Sequence, residues 1–188
     1  MTIHPFFLML FLFCTHGVSF AIDLGSPAPP FSLKDENGKV FNSKDSLSKK
    51  HLLVFFYPAA LTGGCTRQAC SYRDDLLKWN SKEVKIIGIS GDSPANLKLF
   101  KKTEHLNFTL LSDPAGKTAK EFGVPVSKGG TIQKFIQGER FSLERSATAK
   151  RWTFIISKSG EVIYKNNKVN AVKDSADAMH FISKFLKL

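Results

Sequence analysis

A chain of 188 residues with 43% apolar content and seventeen phenylalanines can bury one sizeable core, is too short for two, and is too apolar for intrinsic disorder. Its 27 basic and 16 acidic residues leave a formal charge of +11, none of it carried by residues 1–21, so the surface suits acidic partners, although scattered solvated lysines account for most of it. No compact basic motif interleaved with aromatics occurs, which argues against nucleic-acid binding.

At the N-terminus, the apolar run Phe6–Phe13 and the small residues of Ser19-Phe20-Ala21 read as a secretory signal cleaved after residue 21. The run is shorter than the roughly 20 residues a membrane span needs, so stable insertion is not expected and the protein is read as exported, periplasmic or secreted. Residues 22–188 then form one domain. Phe31–Leu33 and Val40–Phe41 flank the turn residues Asp35–Gly38 and predict an N-terminal β-hairpin. Leu52–Tyr57 is continuously apolar, the pattern of a strand buried on both faces, and is the candidate for the central strand. Cys65, Ala69, Tyr72, Leu76 and Trp79 recur at helical spacing, which predicts a helix beginning at Cys65, with Tyr72 and Trp79 in the core.

Further on, Val84–Ser90 reads as a second buried strand, Ser93-Pro94 as the start of a helix running to about His105, and Thr109–Leu111 as a short strand. Ala115–Phe122 predicts a helix stopped by Gly123 and Pro125. Trp152–Ser157 and Glu161–Lys165 predict two strands around Lys158-Ser159-Gly160, and Ala178, Phe181, Ile182 and Phe185 mark one face of a final helix. The alternation makes the chain α/β. Residues 126–150 carry no assignable period, and His51, His105 and His180 lack ligand-like spacing and are expected at the surface.

Without the signal, only Cys65 and Cys70 remain of three cysteines. So short a loop gains little from a staple, and the pair reads as chemical rather than structural. Cys65 falls in the first turn of the predicted helix, directly after the buried strand. Unpaired N–H groups and the helix dipole favour a thiolate there. Thr62 offers a hydroxyl nearby, Gly63 and Gly64 permit close backbone approach, and Pro58 ends the strand and shields the sulfur from water.

Pro58, Thr62 and Cys65 match the spacing of the peroxiredoxin signature, and Cys70 on the same helix resembles the Q class, also called bacterioferritin-comigratory-protein-like. The resemblance covers about residues 26–188. It implies a thioredoxin-like fold, a central mixed β-sheet flanked by helices, and a thiol peroxidase without cofactor or metal. Cys65 would be the nucleophile, Cys70 the resolving cysteine, and Arg151, at the start of a later strand, the arginine that pairs with thiolate and peroxide. Thr62, the Cys65 N–H and Arg151 would stabilise charge on the peroxide oxygens, with Gln68 auxiliary. The implied partners are a hydroperoxide and a thioredoxin-like or other dithiol reductant, and the protein is expected as a monomer or weak dimer. The chain departs from the class in carrying Gly63 where proline is usual, Ala59-Ala60-Leu61 where polar residues are common, and a longer segment at 129–150.

Residues five apart in a helix are separated by about 7.5 Å of rise and about 140° of rotation, beyond the roughly 7 Å that a disulfide spans between Cα atoms. A bond between Cys65 and Cys70 therefore requires residues 62–73 to unwind. Two rival readings use the same cysteines: an exported copper-binding thioredoxin-fold protein, which resembles a three-residue cysteine spacing plus a distant histidine, and a thiol–disulfide oxidoreductase, whose usual two-residue spacing is absent.

Overall fold

A computed structural model describes residues 22–187; the signal reading of residues 1–21 falls outside them. The chain runs β1 (Ser32–Asp35), β2 (Val40–Asn42), α1 (Ser43–Leu47), β3 (His51–Phe56), α2 (Gly63–Asp74), α3 (Leu76–Ser81), β4 (Val84–Ser90), α4 (Pro94–Thr103), β5 (Thr109–Ser112), α5 (Lys117–Glu121), β6 (Val126–Ile136), β7 (Glu139–Ala149), β8 (Trp152–Ile156), β9 (Val162–Asn166) and α6 (Asp174–Phe185). Seven strands form one mixed sheet in the order β2-β1-β5-β4-β3-β8-β9. Strands β3, β4 and β5 are parallel, and the other pairings are antiparallel. Among the described residues no helix is long and apolar enough to cross a membrane.

The unbroken apolar run of β3 follows from its place between β4 and β8, where side chains of both parities are covered. Leu53 and Phe55 point into a core shared with Ala69 and Tyr72 of α2, Trp79 of α3, Phe100 of α4 and Ile182 of α6. Leu52, Val54 and Phe56 point the other way, toward Phe31, Ala119, Phe122 and Phe154. The strand is interior as expected, although β4 occupies the middle position.

Three expectations change. The single helix from Cys65 to Trp79 instead starts at Gly63 and divides at Asp75, whose backbone (φ −92°, ψ 5°) leaves helical geometry. There its carboxylate accepts from Lys78 Nζ at 2.7 Å and from Ser175 Oγ at 2.9 Å. His51 is buried rather than at the surface, because it opens an interior strand and packs edge-on against Phe185 of α6. Burial, followed by the nearby Lys158 charge, lowers its pKa.

The third change concerns residues 126–150. They form a separate two-stranded arm, β6–β7, closed by Gln137 and Gly138 with φ of 51° and 85°, the two positive values of a tight hairpin turn. Gln137 is an unusual residue for that turn, which hides it from composition. The arm lies back on the domain: Leu143 is buried in the core, with Ile132, Ile136 and Phe141 packed against it. It passes so near β4 that a Cβ at Gly91 would collide with the Ala147 carbonyl, so only glycine fits.

Candidate active site

After β3 the chain turns at Pro58 and enters a short loop before α2. Leu61 takes a left-handed conformation (φ 60°), uncommon for a residue with a branched side chain. Two contacts fix the loop around it: the Ala60 N–H donates to Asp92 Oδ2 at 2.8 Å, and Leu61 itself is buried. Asp92 is in turn held by Ser90 Oγ at 2.8 Å, and burial raises its carboxyl above the ordinary aspartate value.

Thr62 is the residue before the first turn of α2, yet its side chain does not cap the helix. Its hydroxyl donates to the Ala59 carbonyl at 2.8 Å. The hydroxyl proton is thereby occupied and lone pairs remain, so in this arrangement Thr62 is set to accept a hydrogen bond, where the sequence reading has it stabilise developing charge. No acidic side chain lies in the first turn. The positive end of α2 is consequently left to whatever anion sits at Cys65.

The Cys65 sulfur is almost fully buried, with 2% of the residue exposed. Arg151 lies just before β8, and because β8 pairs with β3 this brings its guanidinium to the N-terminus of α2. Arg151 Nη2 stands 3.2 Å from Cys65 Sγ, and Nη1 donates to Gln68 Oε1. Gly64 leaves room for this approach, since a Cβ there would come within 3.3 Å of Nη2. Beside Pro58 and Arg151 opens a cleft of about 280 Å³, lined by Pro58, Pro125, Val126 and Ala149 together with Ser127, Thr148, Lys150 and Arg151, most of them at the root of the arm.

Pro58, Thr62, Cys65 and Arg151 are thus brought together, whereas Cys70 is not. It sits farther along the unbroken α2, half-buried and with a free thiol, its sulfur 3.9 Å from Glu104 Oε2. Burial, partly opposed by the Arg73 charge and reinforced by Glu104, pushes this thiol up. Gln68, treated as auxiliary from sequence, is fully buried and touches Arg151 directly. Its other end meets Asp174, a residue the sequence reading passed over, at 2.6 Å. A buried Asp at the start of a helix looks like an ordinary helix-opening residue, so composition offered no signal for it.

Residues 24–165 match the AhpC/TSA family. The chain is 39% identical over 150 residues to a chloroplastic peroxiredoxin Q from Populus jackii, covering 77% of this chain and 61% of that protein. It is 38% identical over 165 residues to peroxiredoxin Q of Oryza sativa subsp. japonica, covering 86% and 67%. The chain belongs to the peroxiredoxins of the AhpC/TSA family. Among solved structures, peroxidoxin BcpB from Mycobacterium tuberculosis aligns with a TM-score of 0.72 at 27% identity, covering 87% of this chain and 97% of that one. The expected thioredoxin-like peroxiredoxin fold is therefore the fold present. The chain spans about two thirds of the length of the curated relatives it matches.

Proposed function

We propose that the protein is an exported thiol peroxidase in which Cys65 reduces a hydroperoxide and Cys70 resolves the product. The observation that carries this reading is the 3.2 Å approach of Arg151 Nη2 to Cys65 Sγ at the uncapped N-terminus of α2. Guanidinium and helix end together set positive charge beside the nearly buried sulfur, where negative charge passes through during the reaction. The thiolate attacks the terminal peroxide oxygen, an S–O bond forms, the O–O bond breaks, and the departing alkoxide or hydroxide takes a proton and leaves as alcohol or water. Arg151 and the first-turn N–H groups stabilise charge on the oxygens, while Thr62 accepts from the peroxide O–H and orients it. The apolar side chains of Pro58, Pro125, Val126 and Ala149 beside Arg151 offer a place for the carbon chain of an organic hydroperoxide, so both hydrogen peroxide and organic hydroperoxides fit the site.

Cys65 sulfenic acid then condenses with Cys70: an S–S bond forms, the S–O bond breaks and water leaves. A thioredoxin-like or other dithiol reduces the disulfide by exchange. While α2 remains helical, burial and Glu104 hold the Cys70 thiol above its ordinary value, so unwinding delivers it to Cys65 and relieves that shift together. The copper-binding rival lacks support, since among the described residues no three His, Cys, Asp or Glu side chains gather where they would hold a metal.

Peroxide consumption with a dithiol reductant tests the assignment. Cys65→Ser should abolish turnover, and Cys70→Ser should reduce one equivalent, accumulate sulfenic acid and then stall. Retained turnover in Cys65→Ser would remove the nucleophile assignment.

A further inference from the structure

Asp174 opens α6, 106 residues along the chain from Gln68 of the cysteine helix, and is completely buried. Its Oδ2 accepts three hydrogen bonds, from Gln68 Nε2 at 2.6 Å, Tyr72 OH at 2.6 Å and Thr153 Oγ1 at 2.7 Å. Oδ1 has no hydrogen-bond partner among the described residues. The three donors come from the two elements that build the site. Gln68 and Tyr72 lie one turn apart on α2, which carries Cys65, and Thr153 lies on β8, two residues after Arg151.

The chemistry of the glutamine amide makes this arrangement directional. A primary amide has one donor end and one acceptor end, and a carboxyl oxygen offers only acceptance to an incoming N–H. With its NH₂ held by Asp174, Gln68 has to present Oε1 to Arg151, as observed. The reverse orientation would set two N–H donors of Gln68 against the guanidinium. Oδ2 accepts whether or not the carboxyl carries a proton on Oδ1, so the orientation does not depend on that proton.

We propose that Asp174 is a positioning residue for the peroxide step: it turns Gln68 so that the amide oxygen anchors Arg151 Nη1, which aims Nη2 at the Cys65 sulfur. The proposal rests on Cys65 being the nucleophile. It also gives Asp174 a second effect, because Gln68 and Tyr72 both lie in the part of α2 that unwinds when Cys70 reaches Cys65. Each resolution event strips two donors from a buried carboxyl and each reduction restores them, so Asp174 favours the helical, peroxide-reactive state.

The test measures the rate of Cys65 oxidation by peroxide and, separately, the rate of Cys65 alkylation by iodoacetamide, both in a Cys70→Ser background. Asp174→Asn preserves the volume of the side chain and keeps an acceptor oxygen for Gln68, Tyr72 and Thr153, whereas Asp174→Ala and Asp174→Leu remove the acceptor outright. We expect Ala and Leu to slow peroxide oxidation by about 10- to 100-fold, the range that small misplacement of a reacting group produces, and Asn to stay close to the wild-type rate. Alkylation should follow in parallel. The decisive arm is the double variant Asp174→Ala with Gln68→Glu, in which residue 68 carries acceptor oxygens only and faces Arg151 with an acceptor without being turned by residue 174. Recovery of the rate lost in Asp174→Ala supports positioning through residue 68, because a purely structural role would leave the double variant as slow or slower. Wild-type oxidation and alkylation rates in Asp174→Ala, or no recovery in the double variant, overturn the proposal. Should Asp174→Ala fail to fold, Asp174→Leu and its Gln68→Glu double variant decide by the same outcomes. Activity in Cys65→Ser would instead condemn the nucleophile assignment, whatever Asp174 does.

Discussion

Arg151 is asked to do two things with one planar group, donating to Gln68 through Nη1 while Nη2 faces Cys65. A lysine ammonium carries the same charge but is a single point and cannot hold both partners in that fixed fork. Arg151→Lys should therefore lower the rate of Cys65 oxidation by about 10²-fold, the scale seen when one preorganised donor is removed. Stopped-flow oxidation of the Cys70→Ser protein checks this, and a loss of less than about twofold would show that charge alone suffices. At this scale the sequence was uneven. Pro58, Thr62 and Cys65 were legible because they lie within one loop and one helical turn, whereas Arg151 needed the family resemblance and Asp174 gave no sign. Gln68 was visible as a residue but not as a bridge, since both its partners lie in distant parts of the chain.

Helix α2 must be stable enough to hold Cys65 at its N-terminus and weak enough to unwind for Cys70. Hydrogen exchange should be faster over residues 62–73 in the disulfide form than in the dithiol form, and equal protection in both would refute unwinding. Gly63 bears on the same balance. It is the first residue of α2, where a missing N–H costs nothing and a proline ring presets the backbone. Thr62 already has the extended conformation (φ −98°, ψ 146°) that precedes proline, and a Cβ at Gly63 would meet nothing closer than Arg67 Nη1 at 3.6 Å. Gly63→Pro should stabilise the dithiol protein by about 0.4–1 kcal/mol, measured by urea unfolding, and slow formation of the Cys65–Cys70 disulfide. A faster disulfide in that variant would contradict the role given to α2. The strands and longer helices were readable from period and capping, as with Ser93, whose hydroxyl accepts from the Asn96 N–H at the start of α4. The break at Asp75 was not, because it depends on Ser175 from α6.

Two buried carboxyls, Asp92 and Asp174, link the site to the stability of the whole domain. Burial is the leading cause that raises both, partly offset by the hydrogen bonds each accepts. A carboxyl that holds its proton more tightly folded than unfolded stabilises the fold fully below its unfolded value, near about 3.9, and loses that contribution as pH rises through the folded value. The wild-type urea midpoint should accordingly fall relative to that of Asp92→Asn as pH is raised from about 4 toward 7. A difference independent of pH would mean that Asp92 titrates alike in both states.

The sequence by itself determined the α/β class, the two-faced burial of β3, and a cysteine placed at a helix start behind Pro58 and Thr62. Each of these is written in residues a few positions apart, where periodicity, turn chemistry and backbone geometry act locally. Tertiary structure alone decided that residues 126–150 form an arm lying on the core, that His51 is covered, and that Asp174 orients Gln68 toward Arg151. Those outcomes depend on which distant surfaces pack together, and a buried polar group takes its partner from the elements that close over it, not from its neighbours in sequence.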